Sequence, residues 1–286
     1  MIICKTPAEM QSTCRKLRSS ALAHSLGLVP TMGALHAGHL SLISAALAEC
    51  DNVAASIFVN PTQFAPGEDY ESYPRDFEAD CSKLESAGVH VLFAPSAEDM
   101  YPPDSTTFVD PGDIATRLDG ASRPGHFRGV ATIVARLFHI VEPDRAYFGQ
   151  KDAAQLAVLR AMVRDLNFSV EIVACPIVRE PDGLALSSRN RYLTAEQRNR
   201  ATILHRALDA AADLHTRGER NSQALIKTMQ QMLATEPTVV VEYAAVVDPD
   251  TLLPLADTTR MALIAVAAHL GETRLIDNHL IGADHA

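Results

Sequence analysis

One stretch constrains this chain more than any other: Val29 to Leu40, which reads Val-Pro-Thr-Met-Gly-Ala-Leu-His-Ala-Gly-His-Leu. An apolar run of strand character, Leu26 to Val29, enters it. A helical pattern leaves it, with Leu40, Ile43 and Leu47 at i, i+3 and i+7. A strand passing into a helix through a glycine-bearing turn sets the helix N-terminus at the carboxyl end of the strand. Backbone N–H groups and the positive end of the helix dipole then converge on one point, which suits an anion. Gly33 and Gly38 allow close approach of a ligand to the backbone. His36 and His39 are three apart and share a face of a first helical turn. Negative charge beside two imidazoles favours their protonated form, so the pair reads as a clamp for a triphosphate. Either histidine alone reads as a polar residue at a helix start; the whole pattern, directly after a strand, favours a nucleotide.

Around this stretch, strands and helices alternate. Residues 8 to 23 read as an amphipathic helix. Val53 to Val59 reads as a buried parallel strand that ends in the turn Asn60-Pro-Thr-Gln63-Phe64. Asp76 to Ala87 is helical, Val89 to Ala94 strand-like, and residues 95 to 128 a long functional loop region. Gly129 to Val141 is an apolar helix, Arg145 to Phe148 a strand, Asp152 to Leu166 a helix and Ser169 to Ala174 a strand. This order implies an α/β fold with a Rossmann-like parallel sheet. After Pro176 the pattern changes. Thr194 to Arg217, opened by the capping box Thr194-Ala-Glu-Gln197, and Asn221 to Thr235 read as helices. Val239 to Val247, Met261 to Ala268 and Thr273 to Asp277 read as a small antiparallel sheet. A boundary near residue 178 follows, with a Rossmann-like domain over 1–178 and a smaller C-terminal α+β domain over 179–286.

Composition excludes several classes. Lys and Arg number 25 against 35 Asp and Glu, a net charge of −10, which argues against a nucleic-acid partner. The five cysteines (Cys4, Cys14, Cys50, Cys81, Cys175) are scattered without a C-x-x-C pair, so neither a zinc site nor a disulfide framework is indicated. No cationic leader followed by an apolar run is present at the start, and no apolar run reaches the ~18 residues of a membrane span.

Further groups suited to chemistry fall at predicted strand ends or at the boundary. Gln63 offers both a donor and an acceptor, which suits a hydroxy acid; a plain surface turn is the competing reading. In Phe148-Gly149-Gln150-Lys151-Asp152, Lys151 is a point cation and Asp152 a helix cap or a ligand, with Gln155 one turn further in. In Leu184-Ala-Leu186-Ser187-Ser188-Arg189-Asn190, two hydroxyls and an arginine follow the flexible Pro181-Asp182-Gly183, as suits a mobile loop over residues 182–190 that closes on phosphates. Arg123-Pro-Gly-His126-Phe-Arg128-Gly129 concentrates cations in an acidic chain; it reads as a functional loop or as one salt-bridged to acidic neighbours.

His36-x-Gly-His39 resembles the signature of the nucleotidyltransferase superfamily, and the Ser187-Ser188-Arg189 loop is similar to its second signature, Lys-Met-Ser-Lys-Ser. Taken in order, Pro30 to His39, Phe58 to Phe64, Arg123 to Gly129, Phe148 to Asp152, Gly183 to Asn190 and Arg274-Leu-Ile-Asp-Asn278 resemble the pantothenate synthetase family over nearly the whole chain. Two departures are mild: Gln150 and Leu186 stand where that family often has Glu and Met. The resemblance implies a cytoplasmic, homodimeric, Mg²⁺-dependent ligase that joins (R)-pantoate to β-alanine with ATP through a pantoyl adenylate. It implies an ATP site formed by Met32, Gly33, Ala34, Leu35, His36, Ala37, Gly38, His39, Gly149, Gln150, Lys151, Asp152, Val178, Leu186, Ser187, Ser188 and Arg189. It further implies pantoate on Gln63 and Gln155, β-alanine also on Gln63, His39 as proton donor, and His36 and Lys151 beside it in catalysis. Two other classes stay open on the residues: a cytidylyltransferase-type enzyme that stops at nucleotidyl transfer, and a non-enzymatic RNA-binding relative of the tRNA synthetases.

Overall fold

Runs such as Leu28–Val29 and Val53–Ala55, withdrawn from solvent on both faces, are stable only as strands covered by helices on either side. The computed structural model describes residues 1–19 and 25–282. Its first unit is built on a six-stranded sheet of β1 (Ile2–Cys4), β2 (Leu26–Thr31), β3 (Asn52–Ile57), β4 (Val91–Phe93), β5 (Arg145–Gly149) and β6 (Glu171–Cys175). The order is β1-β4-β3-β2-β5-β6 and all pairs are parallel. The chain winds outward from β2 through β3 to β4, then returns to set β5 on the other side of β2. That reversal makes the carboxyl ends of β2 and β5 the switch point of the sheet, where ligands bind in such folds. Helices α1 (Pro7–Arg18), α2 (Ala37–Glu49), α3 (Phe77–Ala87), α4 (Ala97–Met100), α5 (Asp119–Ser122), α6 (His126–Val141) and α7 (Ala153–Asp165) follow in chain order. Val29, Leu35, Ile43, Ala46, Val53, Leu84, Leu92 and Tyr147 pack into one core.

Several extents differ from the sequence reading. The helix expected over 8–23 spans Pro7–Arg18; residues 20–23 lie outside the described residues. Strand β1, three residues long at the sheet edge, is too short for any periodicity to announce. Strand β2 continues through Pro30, because β5 pairs with it only at Gly27 and Leu28 and no ladder bond to β5 is lost where the N–H is missing. The loop over 95–128 holds α4, α5 and a 3₁₀ turn at Gly112–Thr116. Helix α6 starts three residues early, after Gly125 at φ 84°, a left-handed entry that glycine tolerates.

A second compact unit consists of Ile177–Ala286, with Arg117–Asp119 and Gln150–Ala157. It contains α8 (Ala195–Arg200), α9 (Ile203–Thr216), α10 (Ser222–Leu233) and an antiparallel sheet of β7 (Val239–Val247), β8 (Ala262–Leu270) and β9 (Thr273–Ile281) in that order. Leu204, Leu208, Leu225, Met229, Ile264 and Val266 form its core. The capping box at Thr194 and Gln197 opens α8. The single helix expected over Thr194–Arg217 is two helices. Thr202 Oγ1 donates to the Asn199 carbonyl at 2.9 Å and Leu204 N bonds back only to Ala201, so a side chain competes with the backbone ladder at the break.

All five cysteines are free thiols, four of them buried. Burial pushes the Cys14 thiol up to about 12, far from the thiolate that nucleophilic chemistry needs. Among the described residues, no helix is long and apolar enough to cross a membrane.

Candidate active site

The histidine turn departs from the geometry its sequence suggests. His36 is not in the helix: it is the N-cap of α2, with extended backbone at φ −132°, and His39 is the third helical residue. His36 Nδ1 accepts from the Gly38 N–H at 3.1 Å, and His39 Nδ1 accepts from the His36 N–H at 3.3 Å. Two imidazoles thus take the places that Ser and Glu hold in an ordinary capping box. The rings lie 4.1 Å apart at centroids. With both Nδ1 atoms accepting, each ring places its proton on Nε2. The two Nδ1 bonds hold the pair on a fixed base.

Three backbone amides of the turn that leads into α2 are already used. Gly33 N–H donates to Thr31 Oγ1 at 3.1 Å. Ala34 and Leu35 N–H donate to the two carboxylate oxygens of Asp80 at 2.7 and 2.8 Å. The anion in this turn is therefore internal. The turn carries Gly33 at φ 83° and Ala34 at φ 52°. A non-glycine residue there costs on the order of 1–2 kcal/mol, which charge-assisted hydrogen bonds of roughly 1.5–3 kcal/mol each offset. Asp80, on α3 and only 1% exposed, is a residue that sequence reasoning missed.

Gln63 ends a 3₁₀ turn, Pro61–Gln63, capped by Asn60. The turn is no bland surface loop, because Asn60 is buried. Asn60 Nδ2 donates to Gln63 Oε1 at 3.0 Å and to the Gly129 carbonyl at 3.2 Å. Gln63 Nε2 reaches Met32 Sδ at 3.2 Å, so the structure brings Gln63 to the histidine stretch. Thioether sulfur is a weak acceptor, which leaves Gln63 able to exchange it for a better partner.

The cationic Arg123–Arg128 stretch supports this turn. Arg123 makes a forked pair with Glu68, 2.7 Å on each arm. Its Nη1 lies 3.0 Å from His126 Nε2, and His126 Nδ1 lies 2.8 Å from the Gln63 carbonyl. Since a carbonyl only accepts, Nδ1 donates to it and Nε2 accepts from Arg123. Arg128 stacks on Phe108 at 4.1 Å. Arg123 is thus paired with an acidic neighbour and Arg128 with an aromatic ring.

The forked pair carries a pH dependence. Burial raises the Glu68 carboxyl, but hydrogen bonds and charge from Arg123 outweigh it and hold the group below its ordinary value. A folded pKa below the unfolded one, about 4.3, gives stability that is complete above that unfolded value and lost as pH falls through the folded value. Glu68→Gln is therefore expected to be less stable than the parent at pH 7, with the deficit shrinking in acid below about pH 4. Urea melts at several pH values measure this; a deficit independent of pH contradicts it.

Most of the remaining candidate residues belong to the second unit. Gln150, Lys151 and Asp152 form a 3₁₀ turn after β5. Asn278 of β9 donates from one amide nitrogen to the Gln150 and Lys151 carbonyls at 3.0 and 2.8 Å, and its oxygen accepts from Gln150 Nε2 at 3.2 Å. Lys151 Nζ lies 3.5 Å from Asp152. Gln155 is half-buried on the first turn of α7. Val178 and Leu186 face each other across a hairpin, Leu186 N–H donating to the Val178 carbonyl at 2.9 Å. Pro181-Asp182-Gly183, read as a flexible lead, is the tight tip of that hairpin. Arg198 grips Asp182 at 2.8 and 3.0 Å, and Arg179 binds the Gly183 carbonyl at 3.0 Å and Asp277 at 2.6 and 2.9 Å. Ser187 caps the following 3₁₀ turn, Ser188–Tyr192, and Ser188 is buried. The Arg274–Asn278 stretch thus holds two loops: Asp277 fixes the hairpin and Asn278 the lysine turn.

A six-stranded parallel sheet with a histidine-capped helix at its switch point defines an α/β protein of the Rossmann-like class, joined to a small antiparallel-sheet unit. A family model for pantoate-beta-alanine ligase matches residues 2–280, and the chain belongs to that family. It is 57% identical over 287 residues to a pantothenate synthetase from Acidobacterium capsulatum, covering 97% of this chain and 96% of that one. A pantothenate synthetase from Thermotoga neapolitana is 52% identical, with 99% and 100% covered. Among solved structures, pantothenate synthetase from Thermus thermophilus superposes with a TM-score of 0.90 at 49% identity, covering 98% of this chain and 99% of that one. Pantoate-beta-alanine ligase from Francisella tularensis, complexed with beta-gamma ATP and beta-alanine, gives 0.80 at 36% identity, covering 98% and 97%.

Proposed function

We propose that this chain joins (R)-pantoate to β-alanine with ATP, through a pantoyl adenylate, releasing pyrophosphate and then AMP. What carries the reading is the match to the ligase family along the chain, together with a histidine pair whose geometry suits phosphate. In the first step a pantoate carboxylate oxygen bonds to the α-phosphorus while the bond to pyrophosphate breaks. That step needs charge stabilisation more than proton transfer. His39 and His36 donate Nε2–H to phosphate oxygens; Lys151 and Arg189 add charge, and Ser187 and Ser188 add hydroxyl donors. Met32–His39, Gly149–Asp152, Val178 and Leu186–Arg189 line the ATP site in this reading. Gln63 and Gln155 hold pantoate, and Gln63 also meets the β-alanine amine, which attacks the activated carbonyl and displaces AMP. Residues 179–286 form the domain that carries the phosphate-binding loop.

Mg²⁺ belongs to this reading. Among the described residues, no group of three or more His, Cys, Asp or Glu side chains is placed to hold a metal. Magnesium keeps several of its waters and is bound mostly through substrate phosphates. Bound there, it neutralises phosphate charge. A homodimer acting in the cytoplasm completes the proposal, on resemblance alone.

Gln63→Ala and Gln155→Ala are expected to raise KM for pantoate about 5- to 150-fold, the equivalent of ~1–3 kcal/mol for a buried partner left unpaired, with little change for ATP. Steady-state kinetics with each substrate varied in turn test it. A change confined to the ATP constant contradicts the assignment.

A further inference from the structure

We infer that Asp80 is a positioning residue for the His36–His39 pair, setting both imidazoles for the adenylation step from a helix that carries none of the assigned ligands. The inference rests on the proposed role of those histidines. Three observations converge on it. First, the Asp80 carboxylate is buried and both its oxygens are committed to consecutive amides, Ala34 and Leu35. Secondly, that double bond clamps the two left-handed residues, Gly33 and Ala34, that turn the chain from β2 to the N-cap. A Cβ at Gly33 would lie 3.1 Å from Asp80 Oδ2, so carboxylate and turn are close-packed. Thirdly, Lys83, one turn along α3, donates to the Leu35 carbonyl at 2.8 Å and lies 3.5 Å from Asp80. The backbone just before His36 is held at both its polar ends.

The chain of consequence is short. Asp80 and Lys83 fix Leu35. Leu35 fixes the extended backbone of His36, whose N–H must meet His39 Nδ1 while its own Nδ1 meets Gly38 N–H. Those two bonds place the proton of each ring on Nε2. Rotation of the 34–35 peptide would break both caps and let the rings change tautomer and direction. Asp80 touches neither ring, so it acts through the backbone alone.

Asp80→Asn is the direct test. An asparagine matches the volume but accepts only on one side; its amide nitrogen opposes one of the two backbone N–H groups. The variant is expected to lose roughly 10- to 100-fold in kcat for pantoate-dependent ATP–pyrophosphate exchange, the scale of misplacing a reacting group by about an ångström. KM for ATP and for pantoate should change less than about threefold. Long-range ¹H–¹⁵N spectra of histidine-labelled protein supply a readout independent of turnover. In the parent, His36 and His39 should show the Nε2–H tautomer; in Asp80→Asn both should move to mixed tautomers. Unchanged ring nitrogens, or exchange within threefold of the parent, overturn the inference. If Asp80→Asn does not fold, Lys83→Met, at a half-exposed site, should shift the same ring nitrogens in the same direction by less; no shift there also overturns it. Should the parent show no exchange at all, the proposed function fails while the tautomer comparison still decides the role of Asp80.

Discussion

His39→Ala is expected to leave a folded protein whose pantoate-dependent ATP–pyrophosphate exchange is lower by about 10²–10³, the cost of removing one preorganised donor from a developing anionic centre. The substitution removes two things at once: the Nε2–H donor and the Nδ1 acceptor for the His36 N–H. The second loss is a capping loss of about 1 kcal/mol, small against the roughly 5–15 kcal/mol by which domains are stable. His39→Asn separates the two. Its side-chain oxygen can take the His36 N–H and keep the cap, but it cannot supply a donor where Nε2 stood. It should therefore recover stability and not exchange. A folded His39→Ala with near-parental exchange removes the histidine from the mechanism.

Gly129→Ala is expected to destabilise the protein by roughly 1–3 kcal/mol, the range for overpacking, and to raise KM for pantoate tenfold or more. The sign is unusual. Glycine inside a helix normally gains about 0.5–1 kcal/mol on becoming alanine. Here Gly129 of α6 lies against the turn that carries Gln63. A Cβ would overlap the Thr62 carbonyl oxygen and stand 2.7 Å from Gln63 Cα. Both neighbours are backbone, so no side chain can move aside; the helix or the turn must shift. Asn60, bonded to the Gly129 carbonyl and to Gln63 Oε1, would carry the shift to the amide assigned to pantoate. Urea denaturation and pantoate kinetics measure the two effects. A variant at least as stable as the parent, with an unchanged constant for pantoate, shows that this contact does not set the turn.

The parallel sheet was legible because buried strands leave continuous apolar runs and amphipathic helices a local period, and the histidine turn because strand, glycine and helix are contiguous. The structure's departures share a cause. Side chains that bond to distant backbone leave no local trace. Asp80 sits 45 and 46 residues from the amides it holds, in a helix that reads as ordinary. Asn278 lies 127 and 128 residues from its carbonyls; its stretch was noticeable by resemblance, but nothing in the residues said what it grips. The histidines were found, yet their conformations were not: spacing of three fits a shared helical face as well as it fits an N-cap and its third residue. The Arg123 stretch likewise gave no hint of its partners, Glu68 for Arg123 and the Gln63 carbonyl for His126, which lie about sixty residues away.

The central claim is that a carboxylate of pantoate is activated at the α-phosphorus of ATP before β-alanine attacks. Pantoate labelled with ¹⁸O in its carboxylate, incubated with the protein, ATP, Mg²⁺ and β-alanine, tests this most directly. The account predicts that one labelled oxygen appears in AMP for each pantothenate formed, with no AMP beyond trace when pantoate is omitted. AMP without the label, or ADP and phosphate in its place, would contradict it.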